Sequence, residues 1–227
     1  MLNHLWIIMD WNRRWAKGKL LPVFAWHKAW ADNLRKMTEL AWNKWIKYLT
    51  LWGLSVDNLE KRSKDELKWI IDLINTIESY LKDAMKNDLK FQTIWDTWRL
   101  PEETQKVLEN MTEKTKENKW LVLTLALVYW WQDEIVRATK KILNAWINPE
   151  TLTREEFKKY LDTKDLPKVD VIVRTGWDVR HSGFLLYDSE YSEYFFSDKY
   201  WPAFDEKELD KVIDFFDNSK RNFWGGN

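Results

Sequence analysis

Five short apolar runs recur along the 227 residues, and longer amphipathic stretches separate them. The runs are Leu5 to Met9, Ile46 to Leu51, Leu89 to Ile94, Leu121 to Tyr129 and Val169 to Val173. Runs this short suit strands buried on both faces, and the stretches between them are long enough for crossover helices. Those stretches carry helix signals. Ser63-Lys64-Asp65-Glu66 spells a capping box, followed by Leu67, Ile70, Ile71, Ile74, Ile77 and Leu81 at helical spacing. Pro101 ahead of Glu102 and Glu103 opens another helix, with Val107, Leu108 and Met111 facing inward. Thr153 with Glu156, and Asp205 with Glu208, mark two further starts. The alternation predicts an α/β fold: a single domain over residues 1–227 with a mostly parallel central sheet flanked by helices.

Composition narrows the partners. Lys+Arg and Asp+Glu both number 36, so a zero net charge gives no electrostatic case for nucleic acid. Cysteine is absent, which removes disulfides, thiolate nucleophiles and Cys-based metal sites. His4, His27 and His181 are scattered and form no paired metal motif. Asp10 interrupts the N-terminus too early for a secretory segment, and Leu121 to Trp131 is too short to span a membrane. A cytoplasmic location is expected.

The polar clusters fall just after the apolar runs. Asp10-Trp11-Asn12-Arg13-Arg14 follows the first, Ser55, Asp57 and Asn58 follow the second, and Arg174, Asp178, Arg180 and Ser182 follow the fifth. Ligands of open parallel sheets bind outside the carboxyl ends of the strands, so the three clusters are expected to converge. Arginines beside Asn and Ser suit phosphate oxygens, which guanidinium forks grip bidentately. A carboxylate beside such a site suits Mg²⁺, which takes one or two carboxylates together with substrate phosphates. Asp10 and Glu193 are the candidates. The plainer alternatives are a helix cap for Asp10, a solvated loop carboxylate for Glu193 and surface ion pairs for Arg174 and Arg180.

These residues also carry a resemblance. Ile7-Ile8-Met9-Asp10-Trp11-Asn12-Arg13-Arg14-Trp15-Ala16-Lys17 resembles the first signature of the cis-prenyltransferases of the undecaprenyl diphosphate synthase type, which reads IIMDGNxRWAK. His27-Lys28-Ala29 is similar to the family's G-H-K-A-G segment, and Leu54-Ser55-Val56-Asp57-Asn58 to its F-S-x-E-N segment. Arg174 to Leu186 resembles R-T-x-G-E-x-R-x-S-N-F-L-L, and Glu193 with Trp201-Pro202-Ala203-Phe204 matches the features that follow. The matches run in family order, which makes the set specific.

The resemblance implies an undecaprenyl diphosphate synthase-like fold and an enzyme that joins isopentenyl diphosphate to an allylic diphosphate such as farnesyl diphosphate. The product would be a cis-polyprenyl diphosphate lipid carrier for cell-wall or glycan assembly. It implies Mg²⁺ as cofactor, held by Asp10 and Glu193, with Asp10 and Asn58 in catalytic roles. Asn12, Arg13, Arg14 and Trp15 would surround the allylic diphosphate, with His27 near it. Arg174, Arg180 and Ser182 would bind isopentenyl diphosphate, and Ser55 and Arg62 complete the substrate-binding set. A homodimer is implied, with peripheral membrane contact as a route for product release. The helix from Ser63 onward would wall an apolar tunnel for the growing chain, and the same residues would also serve as plain core. The alternative is a catalytically impaired member that binds and stabilises a partner subunit.

One departure from the family is systematic. The chain has 18 Trp and 6 Gly, the reverse of ordinary usage. Trp11, Trp26, Trp30, Trp45, Trp95, Trp120, Trp130, Trp131, Trp177 and Trp224 stand where the family usually has glycine. An indole denies the positive φ and the close backbone approach that glycine allows beside an anion. The pattern is that of a gene spelling glycine with UGA, read with a table in which UGA means tryptophan; UGG at those codons would end the idea. Deliberate redesign or a degenerate, inactive homologue are the competing explanations. Smaller departures are Val23 for a diphosphate-binding arginine, Asp57 for Glu, and Val128 for the Asn of an N-Y-G-G segment.

Overall fold

A computed structural model of the chain describes residues 1–10, 23–94, 97–182 and 186–219, with the backbone alone for residues 23–27 and 97. Its centre is a parallel sheet of β1 (His4–Ile8), β2 (Tyr48–Trp52), β3 (Leu89–Ile94), β4 (Leu121–Ala126), β5 (Val171–Arg174) and β6 (Glu193–Phe196), in the order β3-β4-β2-β1-β5-β6. Every pairing between neighbouring strands is parallel. The sequence predicts five of these strands; β6 is the addition. All five residues of β1 and all six of β4 are buried, as expected for strands covered by helices on both faces.

The described α-helices are α1 (Val23–Asn43), α2 (Val56–Lys61), α3 (Lys64–Asn75), α4 (Leu81–Lys86), α5 (Glu102–Thr115), α6 (Trp131–Asn144), α7 (Arg154–Lys158) and, after the last strand, α8 (Glu206–Asn218). The predicted caps form. Ser63, Thr153 and Asp205 each accept a hydrogen bond from the backbone N–H three residues on, at 3.4, 3.1 and 3.2 Å, satisfying donors that the first helical turn leaves open. The apolar run after Ser63 does not stay one helix. It breaks into α3, a 3₁₀ segment over Thr76–Tyr80 and α4, because Thr76 and Ser79 bond back to the carbonyls of Leu73 and Thr76 and tighten the turn.

Two helices end in the same way. At the end of α1, Trp45 N–H donates to Trp42 O (3.2 Å) and Ile46 N–H to Ala41 O (2.9 Å). At the end of α6, Trp146 N–H donates to Leu143 O (3.2 Å) and Ile147 N–H to Ile142 O (3.4 Å). These are Schellman closures, whose central residue must be left-handed and is usually glycine. Here it is tryptophan both times, at φ 63° for Trp45 and 53° for Trp146.

Candidate active site

Three chain crossings meet at the carboxyl edge of the sheet. Asp10 lies two residues beyond β1, Ser55 caps α2 just after β2, and Arg174 is the last residue of β5. The in-register pairing Ile8↔Arg174 places the ends of β1 and β5 side by side. A cavity of about 380 Å³ opens there.

Arg174 organises the site. Its side chain is 6% exposed. Nη2 donates to Asp10 Oδ1 at 3.1 Å and Nε to Oδ2 at 3.4 Å, while Nη1 reaches Ser182 Oγ and the Arg180 carbonyl, both at 2.7 Å. The Asp10 backbone N–H donates to Thr175 Oγ1 at 3.2 Å. Next to Thr175, Gly176 adopts φ +89°, and a Cβ there would stand 2.9 Å from Asp10 Oδ2. Only glycine permits that approach. Asp178 bonds Arg180 through both carboxylate oxygens (3.1 and 3.0 Å) and stands 3.6 Å from Arg174. On the facing wall the Ser55 hydroxyl accepts from Asn58 N–H at 3.1 Å, and Asn58 and Arg62 line the same cavity.

Burial holds the Asp10 carboxyl above the usual carboxylate range, against the opposing pull of Arg174. Burial disfavours the charged form of Asp10 more than the neighbouring arginines restore it, and a divalent cation beside the carboxylate would favour that form. Asp10, Asp57 and Asp178 on the wall of one polar cavity are a sparse protein donor set of the kind that would suit Mg²⁺ when phosphate oxygens complete its shell. No group of three or more His, Cys, Asp or Glu among the described residues could hold a metal unaided.

Residues 8–224 match the sequence model of the family described as "Putative undecaprenyl diphosphate synthase". The chain belongs to this family. It is 38% identical to an isoprenyl transferase of Streptococcus thermophilus over 98% of this chain and 93% of that protein. Its identity to an isoprenyl transferase of Fusobacterium nucleatum is also 38%, over 98% and 96%. Among solved structures it superposes on lavandulyl diphosphate synthase from Lavandula x intermedia in complex with dimethylallyl diphosphate, with TM-score 0.89, 27% identity and 97% of each chain covered. It superposes too on a probable undecaprenyl diphosphate synthase from Campylobacter jejuni, with TM-score 0.82, 29% identity and 98% of each chain covered.

Within this prenyltransferase fold, Asp10, Ser55, Asn58, Arg62, Arg174, Arg180 and Ser182 all line the one cavity. Asn12, Arg13, Arg14 and Trp15 lie outside the described residues, as does the side chain of His27. Glu193 is the correction. It opens β6 in register with Val171, which is level with Leu5, three residues short of the carboxyl end marked by Ile8 and Arg174. Asp10 is two residues beyond that end, so Glu193 stands five strand residues, about 16 Å, short of it and two strands to the side, further than an Asp and a Glu side chain can close on one ion with bonds of about 2 Å. Asp10 and Glu193 of the same chain therefore do not share an ion. Asp178 has no role in the resemblance, and its place in the sequence between two site arginines is the signal for it. Trp130, an indole where the family has glycine, is also on the cavity wall.

Proposed function

We propose that this protein is a cis-type isoprenyl transferase that condenses isopentenyl diphosphate with an allylic diphosphate, farnesyl diphosphate being the first candidate. The observation that carries the reading is the buried Arg174 joined to Asp10 and Ser182 at the mouth of a polar cavity. Arg174, Arg180 and Ser182 would hold one diphosphate. Asp10, with Asn12, Arg13, Arg14, Trp15 and His27 as the family resemblance implies, would serve the other. Asp178 keeps the Arg180 fork oriented. Bound at Asp10, Mg²⁺ would supply Lewis-acid stabilisation of the departing diphosphate.

In the reaction, the allylic C–O bond breaks and its C1 joins the terminal alkene carbon of isopentenyl diphosphate. The tertiary carbocation this leaves at C3 of isopentenyl diphosphate loses a proton from C2, which forms a cis C2=C3 double bond, and the allylic substrate's diphosphate departs as inorganic pyrophosphate. The chain's own residues act by fixing both diphosphates in one orientation and by meeting charge with preorganised donors. Ser55 and Asn58, locked together by their hydrogen bond, would orient the reacting groups.

A polyprenyl lipid carrier as product, a homodimer as working form and peripheral membrane contact for product release belong to the same proposal. Glu193 would then approach a metal only from a second copy. No described helix is long and apolar enough to cross a membrane, which fits contact without insertion. The deciding experiment supplies farnesyl diphosphate, labelled isopentenyl diphosphate and Mg²⁺. Label in an extended lipid is expected; released phosphate alone would point to a hydrolase, and no turnover to a binding subunit.

A further inference from the structure

The carboxyl edge of the sheet sets an arginine and an aromatic residue in one row. Ile8 of β1 is in register with Arg174 of β5 on one side and with Trp52 of β2 on the other. Residues in register share a face of the sheet. Neighbouring strands lie about 4.8 Å apart, so Trp52 stands roughly 10 Å from Arg174 with Ile8 between them. Trp52 is 9% exposed and lines the polar cavity. It also packs into an apolar cluster with Trp6, Ile8, Ala126 and Tyr129, which fixes its place. The charged residues on the described wall are Asp10, Asp57, Asp178, Arg62, Arg174 and Arg180, and the other aromatic is Trp130. Trp130 stands at one of the glycine positions, and its Nε1 donates to Gln132 Oε1 at 3.0 Å. Trp52 stands at none of them.

Resting on the prenyl-transfer reading, we propose that the Trp52 indole stabilises the tertiary carbocation formed at C3 of isopentenyl diphosphate. Four bonds join C3 to the nearer phosphorus, a reach of about 5 Å at ordinary bond lengths. With the diphosphate on Arg174 and the chain lying along the row of strand ends, C3 would come within the ~6 Å over which a ring face attracts a cation. The site's arginines repel such a charge, and a carboxylate in contact would capture it as an ester. An indole face attracts it without supplying a free lone pair. No bond to the ring forms, and the C2 proton and the pyrophosphate leave as in the reaction above. Because the ring meets the charge only once the new C–C bond is forming, it lowers the barrier without tightening the ground state.

The test places tryptophan analogues with one to four ring fluorines at position 52 alone, since each fluorine drains the ring face of electron density with little change of shape. Single-turnover rates are measured with farnesyl diphosphate, labelled isopentenyl diphosphate and Mg²⁺. The rate should fall with each fluorine, by about 30-fold over the series, as for a desolvated ring. Isopentenyl diphosphate alone has no partner to react with, and its affinity, read by calorimetry, should stay within ~2-fold of the parent because the ground state carries no charge at C3. A rate that stays flat across the series, or an affinity that falls in step with it, would overturn the proposal while leaving prenyl transfer intact. Absence of label from the lipid made by the unaltered chain would instead overturn prenyl transfer itself, and the cation site with it. Trp52→Phe and Trp52→Leu form a second pair: the phenyl ring should retain several-fold more rate than the leucine, and equal rates would sink the assignment.

Discussion

Trp146 is 92% exposed and held at φ 53°, so its indole gains nothing from packing to offset its backbone. A left-handed conformation costs a non-glycine residue ~1–2 kcal/mol. Glycine would return part of that through its greater freedom in the unfolded chain, ~0.5–1 kcal/mol. Trp146→Gly should therefore stabilise by about 0.5–1 kcal/mol, a rise of roughly 1–4 °C in Tm for a domain of this size, read by thermal melting. Trp45→Gly should gain less, because its ring stacks edge-on against Trp120 at 4.8 Å and such a pair contributes ~0.5–1.5 kcal/mol. A fall in Tm for Trp146→Gly would remove the conformational case for glycine. The residue predicted to matter most for chemistry is Asp10. Asp10→Ala should abolish turnover and leave the far-UV circular dichroism unchanged, since the carboxylate sits at the cavity mouth and not in the core; residual activity near the parental level would refute its role. At this scale the sequence was informative wherever a motif fixes both residue type and spacing. Asp10, Arg174 and Ser182 could be named because their types suit phosphate chemistry. Glu193 could not be placed, because spacing along a chain does not say at which end of a strand a side chain stands.

The elements were legible where local chemistry decides them. Caps at Ser63, Thr153 and Asp205 depend on neighbours three residues away, and β3 has the predicted bounds. The missing strand, β6, has four residues and none fully buried, so neither length nor periodicity marks it; its pairing with β5 is a tertiary effect. The element most open to a pH test is α6. Glu134, buried in its first turns, accepts from Tyr129 Oη at 2.5 Å and from Asp162 N–H at 3.0 Å. Burial is the main cause that raises its carboxyl to about 7, with Asp162 and Asp188 adding to it and the Tyr129 hydrogen bond opposing. A carboxyl raised above its unfolded value near 4.5 contributes stability in full below pH 4.5 and loses it as pH climbs through about 7. The shift corresponds to about 3 kcal/mol as an order of magnitude. His4 works in the opposite sense, since burial lowers it to about 3, but it is present in both proteins and cancels in their difference. Glu134→Gln should therefore gain on the parent by up to ~3 kcal/mol between pH 5 and pH 8, measured by urea unfolding at both values. A difference that stays flat with pH would show that Glu134 does not titrate in this window. Because Tyr129 N–H also bonds Leu54 O at 3.1 Å, next to Ser55, the same variant should loosen the site wall and raise the KM for isopentenyl diphosphate more than it lowers kcat.

For the molecule as a whole, the sheet order sets which surfaces are left over. β3 and β6 are the edge strands, and a short edge strand with exposed apolar neighbours is a pairing surface unless something covers it. Beside β3 the fold supplies cover, with α5 packed on that strand. Around β6 the apolar groups stay in solvent: Val179 after β5, Tyr191 before β6, Phe196 at its end and Phe215 on α8 are all exposed. Phe195 meets Phe215 edge-on at 5.6 Å on one face of the sheet and Phe196 stacks on Tyr194 at 6.3 Å on the other, so aromatic rings flank the β6 edge on both sides. Enrichment in aromatics is what distinguishes the core of a subunit interface from ordinary surface, and an isologous pair covers such a patch with its own copy. The homodimer proposed above should therefore form through the β6–α8 face. Sedimentation should give twice the 27.7 kDa chain mass, and Phe196→Asp should move the equilibrium toward monomer. Phe196 is 38% exposed, so burying no new charge in the core, this variant should keep the parental melting curve at concentrations where both proteins are monomeric. A parent that sediments as a monomer, or a Phe196→Asp variant that remains dimeric, would place the subunit contact elsewhere and leave the aromatic edge without its partner.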